Sequence, residues 1–100
     1  MIIHSNAASG IIEDTLEELS IKPAQAARDM GIPRSRLSDI FAGRKGVSVD
    51  TALRFEQYAK VPAELLIRLQ AEYDLNKAQR EKLPSIKKIV HPAVLTLTTA

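Results

Sequence analysis

Lys22-Pro-Ala-Gln-Ala-Ala-Arg-Asp-Met-Gly-Ile-Pro-Arg-Ser-Arg-Leu-Ser-Asp-Ile-Phe-Ala42 is the stretch that decides the fold of this chain. Pro23 suits the first turn of a helix, where its missing N–H has no partner to lose. Ala24 through Met30 are mostly good helix formers, and Gly31 can take the left-handed geometry that ends a helix. Ile32 then lies in a tight turn, and Pro33 marks a second start. From Arg34 to Ala42 the residues Leu37, Ile40 and Phe41 make one apolar stripe at spacings of three and four. Arg34, Ser35, Arg36, Ser38 and Asp39 are left on the other side. Gly43 terminates that helix, and small Ala26 and Ala27 permit close approach of a neighbour. Two short helices joined by a tight glycine turn make a helix-turn-helix.

The flanking sequence supplies the rest of a bundle. The first eight residues have no clear period. Ser9 is a plausible N-cap for a helix from Gly10 to Ser20, with Glu13 and Asp14 at its positive end and Ile11, Ile12, Thr15, Leu16 and Leu19 at helical spacing. Ser48 caps a fourth helix, Val49 to Ala59, with Ala52, Leu53, Phe55 and Ala59 toward the core. Pro62 opens a fifth, running to about Arg80. It carries two apolar stripes: Leu65, Leu66, Leu69 and Tyr73, and nearly opposite them Ile67, Ala71, Leu75 and Ala78. One stripe packs on the bundle; the other needs a second partner, most simply a copy of the same chain. Leu66, Leu69, Tyr73, Ile67 and Leu75 are therefore the expected dimer contacts. After Lys82, Pro84 breaks the helix, and residues 86–90 and 94–98 are rich in β-formers, so two short extended segments are expected on either side of Pro92. The expectation is an all-α, five-helix domain over residues 1–82 with a short extended tail over 83–100.

Composition narrows the function. The chain has 100 residues, room for one modest core, and no Cys, which excludes disulfides and thiolate metal sites. It shows no signal peptide and no run long enough to span a membrane, so a cytoplasmic setting is expected. Net charge is only +2, but the charge is uneven. Glu13, Asp14, Glu17 and Glu18 stand in a first segment without Lys or Arg, whereas Arg34, Arg36, Arg44 and Lys45 gather around the second helix of the motif. Such a cluster is a polyanion footprint or simply a solvated face. An enzyme is disfavoured: His4 and His91 stand near opposite ends, and no phosphate-binding glycine loop, metal spacing or cofactor motif is present.

In a helix-turn-helix the second helix enters the major groove, N-terminal residues first. Arg34 and Arg36 suit guanine, and Ser35 and Ser38 bond to several bases. Asp39 suits cytosine, or an orienting role toward Arg36 or Arg34. Arg44 and Lys45, in the loop after Gly43, suit phosphate, which sets register rather than sequence. Gln25 is a candidate for the DNA backbone or an ordinary exposed residue, and Arg28 and Arg54 read best as surface charges or intramolecular partners.

The stretch Gly31 to Arg54, with Arg-Ser-Arg-Leu-Ser-Asp-Ile-Phe-Ala-Gly-Arg-Lys-Gly-Val-Ser-Val-Asp-Thr-Ala-Leu at its centre, resembles the HigA family of antitoxins, within the Xre superfamily of Cro-like proteins. Glu64-Leu-Leu-Ile-Arg-Leu-Gln-Ala-Glu-Tyr-Asp-Leu extends the likeness, which covers about Leu19 to Leu75. The resemblance implies a lambda-repressor-like fold and an autorepressing homodimer on double-stranded operator DNA. It also implies a HigB-type, RelE-like mRNA endonuclease toxin as partner; on residue chemistry, the β-prone tail after Lys82 or the acidic helix 1 is the expected contact, against a frayed tail and a solvated helix face. A stand-alone repressor of the same superfamily is the alternative. Three positions depart from the family: its His-Pro-Gly-Glu opening reads Asn6-Ala-Ala-Ser-Gly-Ile-Ile-Glu, a common Trp is Leu66, and the common Gly after helix 4 is Lys60.

Overall fold

The computed structural model describes residues 6–94. It contains α1 (Ala7–Glu18), α2 (Pro23–Met30), α3 (Arg34–Phe41), α4 (Val49–Ala59), α5 (Ala63–Glu81) and α6 (Leu83–Ile89), with no strand among the described residues. His4 and residues 95–98 of the second expected extended segment lie outside them.

The turn chemistry between α2 and α3 is as the sequence dictates. Gly31 closes α2 with φ 69°, a geometry that costs other residues a Cβ clash. Ser48 Oγ accepts the Thr51 N–H at 3.1 Å and so caps α4. At the start of α1, Asn6 rather than Ser9 is the cap, accepting the Ala8 N–H at 3.0 Å. The reason is long-range. The Asn6 amide donates to Gln70 Oε1 on α5 (2.9 Å), while buried Ser9 donates to the Ile40 carbonyl of α3 (3.2 Å). One residue is fixed as a cap from a distance, and the other is committed to helix packing.

The core joins Ile12 and Leu16 of α1, Leu37 and Ile40 of α3, Phe55 of α4 and Leu66 of α5, none more than 2% exposed. Each such side chain stabilises the fold by about 1.5–3 kcal/mol. Two expected placements are corrected. Leu53 does not face the core; it is 51% exposed on the outer side of α4. Leu66 is not an interface residue, because it is wholly enclosed within its own protomer.

The tail is also corrected. Residues 83–89 form a sixth helix instead of an extended segment, with Pro84 in its first turn and Lys87 and Lys88 in its last. A lone strand would leave its backbone unpaired, whereas a helix satisfies its own groups and places cations at its negative end. α6 packs on α5, whose first half is itself packed on α1 and α4. The radius of gyration is 17.5 Å, against about 13 Å for a compact chain of this length.

Candidate nucleic-acid interface

α3 is held from behind. Leu37 and Ile40 sink into the core between α1 and α2, so the opposite side of the helix faces solvent. Arg34, Ser35 and Ser38 are exposed there, and Gln25 is exposed in the first turn of α2. No side chain caps α2 or α3. Both helices thus present positive ends without a capping side chain, and anions are favoured at such ends.

Arg36 and Asp39 have partners that sequence did not supply. Arg36 Nη1 donates to Asp50 Oδ2 at 2.9 Å, and Arg54 Nε donates to the same oxygen at 2.9 Å. Arg54 Nη1 in turn donates to the carbonyls of Met30 (2.7 Å) and Gly31 (3.3 Å), at the end of α2. The turn, the first turn of α4 and Arg36 are thus joined through one carboxylate. Asp39 does not pair with Arg34 or Arg36. Its carboxylate takes Arg44 Nε at 2.8 Å and Lys45 Nζ at 3.8 Å, and its carbonyl accepts the N–H groups of both. Asp39 therefore folds the basic loop back onto the last turn of α3. These pairs are exposed, so each adds little stability on its own and matters chiefly for placement.

The far side of that loop is fixed by Gln70, 7% exposed on α5. Its Oε1 accepts the buried Val47 N–H at 2.8 Å as well as the Asn6 amide, and its Nε2 donates to Asp74 Oδ1 at 2.9 Å. Gly46 passes so close that a Cβ there would come within 2.6 Å of Gln70 Nε2. Asp50 and Gln70 are residues around the site that sequence reasoning missed, and Arg54, expected as a surface charge or an intramolecular partner, is the latter. All three had a visible signal: Asp50 and Arg54 stand at the i, i+4 spacing of a helical ion pair, and Gln70 is a polar residue one turn beyond Leu66 on a core stripe.

Of the expected interface residues on α5, Ile67, Leu69 and Tyr73 are half-buried, the first two against the core, and Leu75 is 60% exposed. Ile86 and Ile89 of α6 are exposed beyond it.

A family model described as helix-turn-helix, HTH_3, matches residues 12–66. The chain belongs to that family. The matched span of HTH_3 runs from Ile12 in α1 to Leu66 in α5 and takes in the whole of the motif, the basic loop and α4. The Pseudomonas aeruginosa antitoxin HigA, solved with the higBA promoter, is 28% identical with a TM-score of 0.77, over 92% of this chain and 98% of that one. The P. aeruginosa protein PA4674, solved in complex with 18 bp of its operator DNA, is 30% identical with a TM-score of 0.75, over 96% and 98%. Virulence-associated protein A' of Dichelobacter nodosus is 27% identical over 86 residues, 85% of this chain and 75% of that protein. No helix among the described residues is long and apolar enough to cross a membrane.

Proposed function

We propose that this chain is a HigA-type antitoxin that binds operator DNA as a homodimer, represses its own operon and holds a RelE-like endonuclease inactive, within the cytoplasm. The observation that carries the DNA half is the exposed side of α3 beside a basic loop pinned in place by Asp39 and Gln70. Likeness over nearly the full chain to an antitoxin solved with its promoter, and to a second protein solved on its operator, supports the same reading. Arg34, Ser35, Arg36 and Ser38 would meet base edges, Arg44 and Lys45 the phosphates, and Gln25 the backbone at the start of α2. In the dimer, Leu75 and the exposed side of α6 would meet their equivalents, with Ile67, Leu69 and Tyr73 at the margin. Two recognition helices roughly 34 Å apart would then read an inverted repeat. For the toxin, the acidic surface of α1 fits a basic, RNA-cleaving partner. Strand addition by residues 83–89 is disfavoured, because they are already helical.

The test is a titration against a fluorescent duplex from upstream of the gene and against a scrambled duplex, at two salt concentrations. Selective, salt-sensitive binding to the first is expected; equal weak binding to both would sink the operator reading. Co-expression with the product of a short neighbouring gene tests the toxin half. A neighbouring product that neither co-purifies nor loses toxicity leaves a stand-alone repressor.

A further inference from the structure

We propose that Asp50, which would touch no base itself, is a positioning residue for sequence recognition. It holds Arg36 at a fixed angle on the DNA-facing side of α3 and ties that angle to the turn of the motif. This inference rests on the operator-binding reading above.

An arginine on a long side chain carries rotamer freedom that must be lost when it reads a base, and prior ordering lowers that cost. Here Asp50 Oδ2 engages one donor, Nη1 of Arg36. Nε and Nη2 of Arg36 have no hydrogen-bond partner among the described residues, which leaves donors for DNA. Asp50 is itself anchored. Arg54 grips the same oxygen and is fixed at its other end by two carbonyls of the α2–α3 turn. The three side chains border one groove with Ser35 and Lys45. A carboxylate there repels phosphate, so its presence is unfavourable for non-specific binding. Two arginines on one Asp keep the cluster net positive while aiming one of them.

That conflict of sign gives a test that a purely structural role would not pass. Asp50→Asn removes one negative charge and weakens the grip on Arg36. Affinity for scrambled duplex should rise, because phosphate attraction increases. Affinity for the operator should fall about tenfold, within the range for a disturbed base contact. In an Arg36→Ala background, Asp50→Asn should no longer lower operator affinity, which a double-mutant cycle reads directly. Thermal melting of each variant confirms folding; the Asp50 side chain is 57% exposed. Equal loss on both duplexes, or an undiminished effect of Asp50→Asn without Arg36, would overturn the positioning role while leaving the operator reading intact. If wild type fails to prefer its operator, or Arg36→Ala binds it normally, the recognition assignment fails first and the inference goes with it.

Discussion

Replacing Gln70 with Leu removes a group that three separate segments depend on. Leu is close in volume and apolar, so the space on α5 remains filled. The Val47 N–H, which now has an acceptor at 2.8 Å, would be left buried without one, at a cost of about 1–3 kcal/mol. The bonds from Asn6 and to Asp74 are part-buried, and their loss adds about 0.5–1.5 kcal/mol each. Allowing for the better burial of Leu, the net destabilisation should be about 2–4 kcal/mol. A domain of this size loses about 4–8 °C of Tm per kcal/mol, so the melting temperature should drop by about 8–30 °C. Scanning calorimetry or thermal circular dichroism measures this directly. Gln70→Glu is the informative companion, because it sets a carboxylate against Asp74 and should destabilise more at neutral pH than in mild acid. A fall of less than about 3 °C for Gln70→Leu would mean that Val47 finds another partner at no cost, and that the loop is not held from α5.

Three further outcomes follow from particular residues. Lys60 ends α4 at φ 62°, a left-handed geometry that costs an L-residue about 1–2 kcal/mol. Lys60→Gly should therefore raise stability by about 0.5–1 kcal/mol after the extra freedom of the unfolded chain is counted, and a lowered Tm would contradict that. Lys45→Ala should weaken binding to operator and scrambled DNA alike and reduce the salt slope by about one; a change in selectivity would instead give Lys45 a base. The Tyr58 hydroxyl donates to Asp29 at 2.7 Å, and burial, then that bond and the Asp29 charge, raise its pKa above the ordinary value of 10.0. Folding thus favours the neutral phenol. The stabilisation is complete below the unfolded pKa and is lost as pH rises through the higher folded value. Tyr58→Phe should flatten the alkaline limb of a plot of Tm against pH, and an unaltered limb would refute the link.

What could be read from the sequence was chemistry settled within a few residues. Gly31, Ser48 and the Leu37–Ile40 stripe act through their own turns, and α2, α3 and α4 follow from them with little error. What could not be read was set by distant partners. Asn6 outcompetes Ser9 as a cap because Gln70, 64 positions away, holds it. Arg54 reads as a surface charge or an intramolecular partner, and only folding brings the end of α2 within its reach. Asp39 had three arginines nearby in sequence, and only folding selected Arg44. The β-prone composition of residues 86–90 misled because propensity presumes a neighbouring strand, and none is there among the described residues. The solvent-facing side of α3 was legible; the side-chain scaffold around it was not.

The close passage of Gly46 over the Gln70 amide binds the histories of two positions together. A methyl group at 46 drives the amide away from Val47, Asn6 and Asp74 at once, so that change is unfavourable while Gln70 remains. With a shorter residue at 70 the same methyl enters vacated space and is tolerated. The effect of an alanine at 46 thus depends on which of the two substitutions came first. Among related chains, a side chain at the first position should accompany a shortened one at the second. An alignment deep enough to measure that covariation would show whether the loop tether is inherited as a pair.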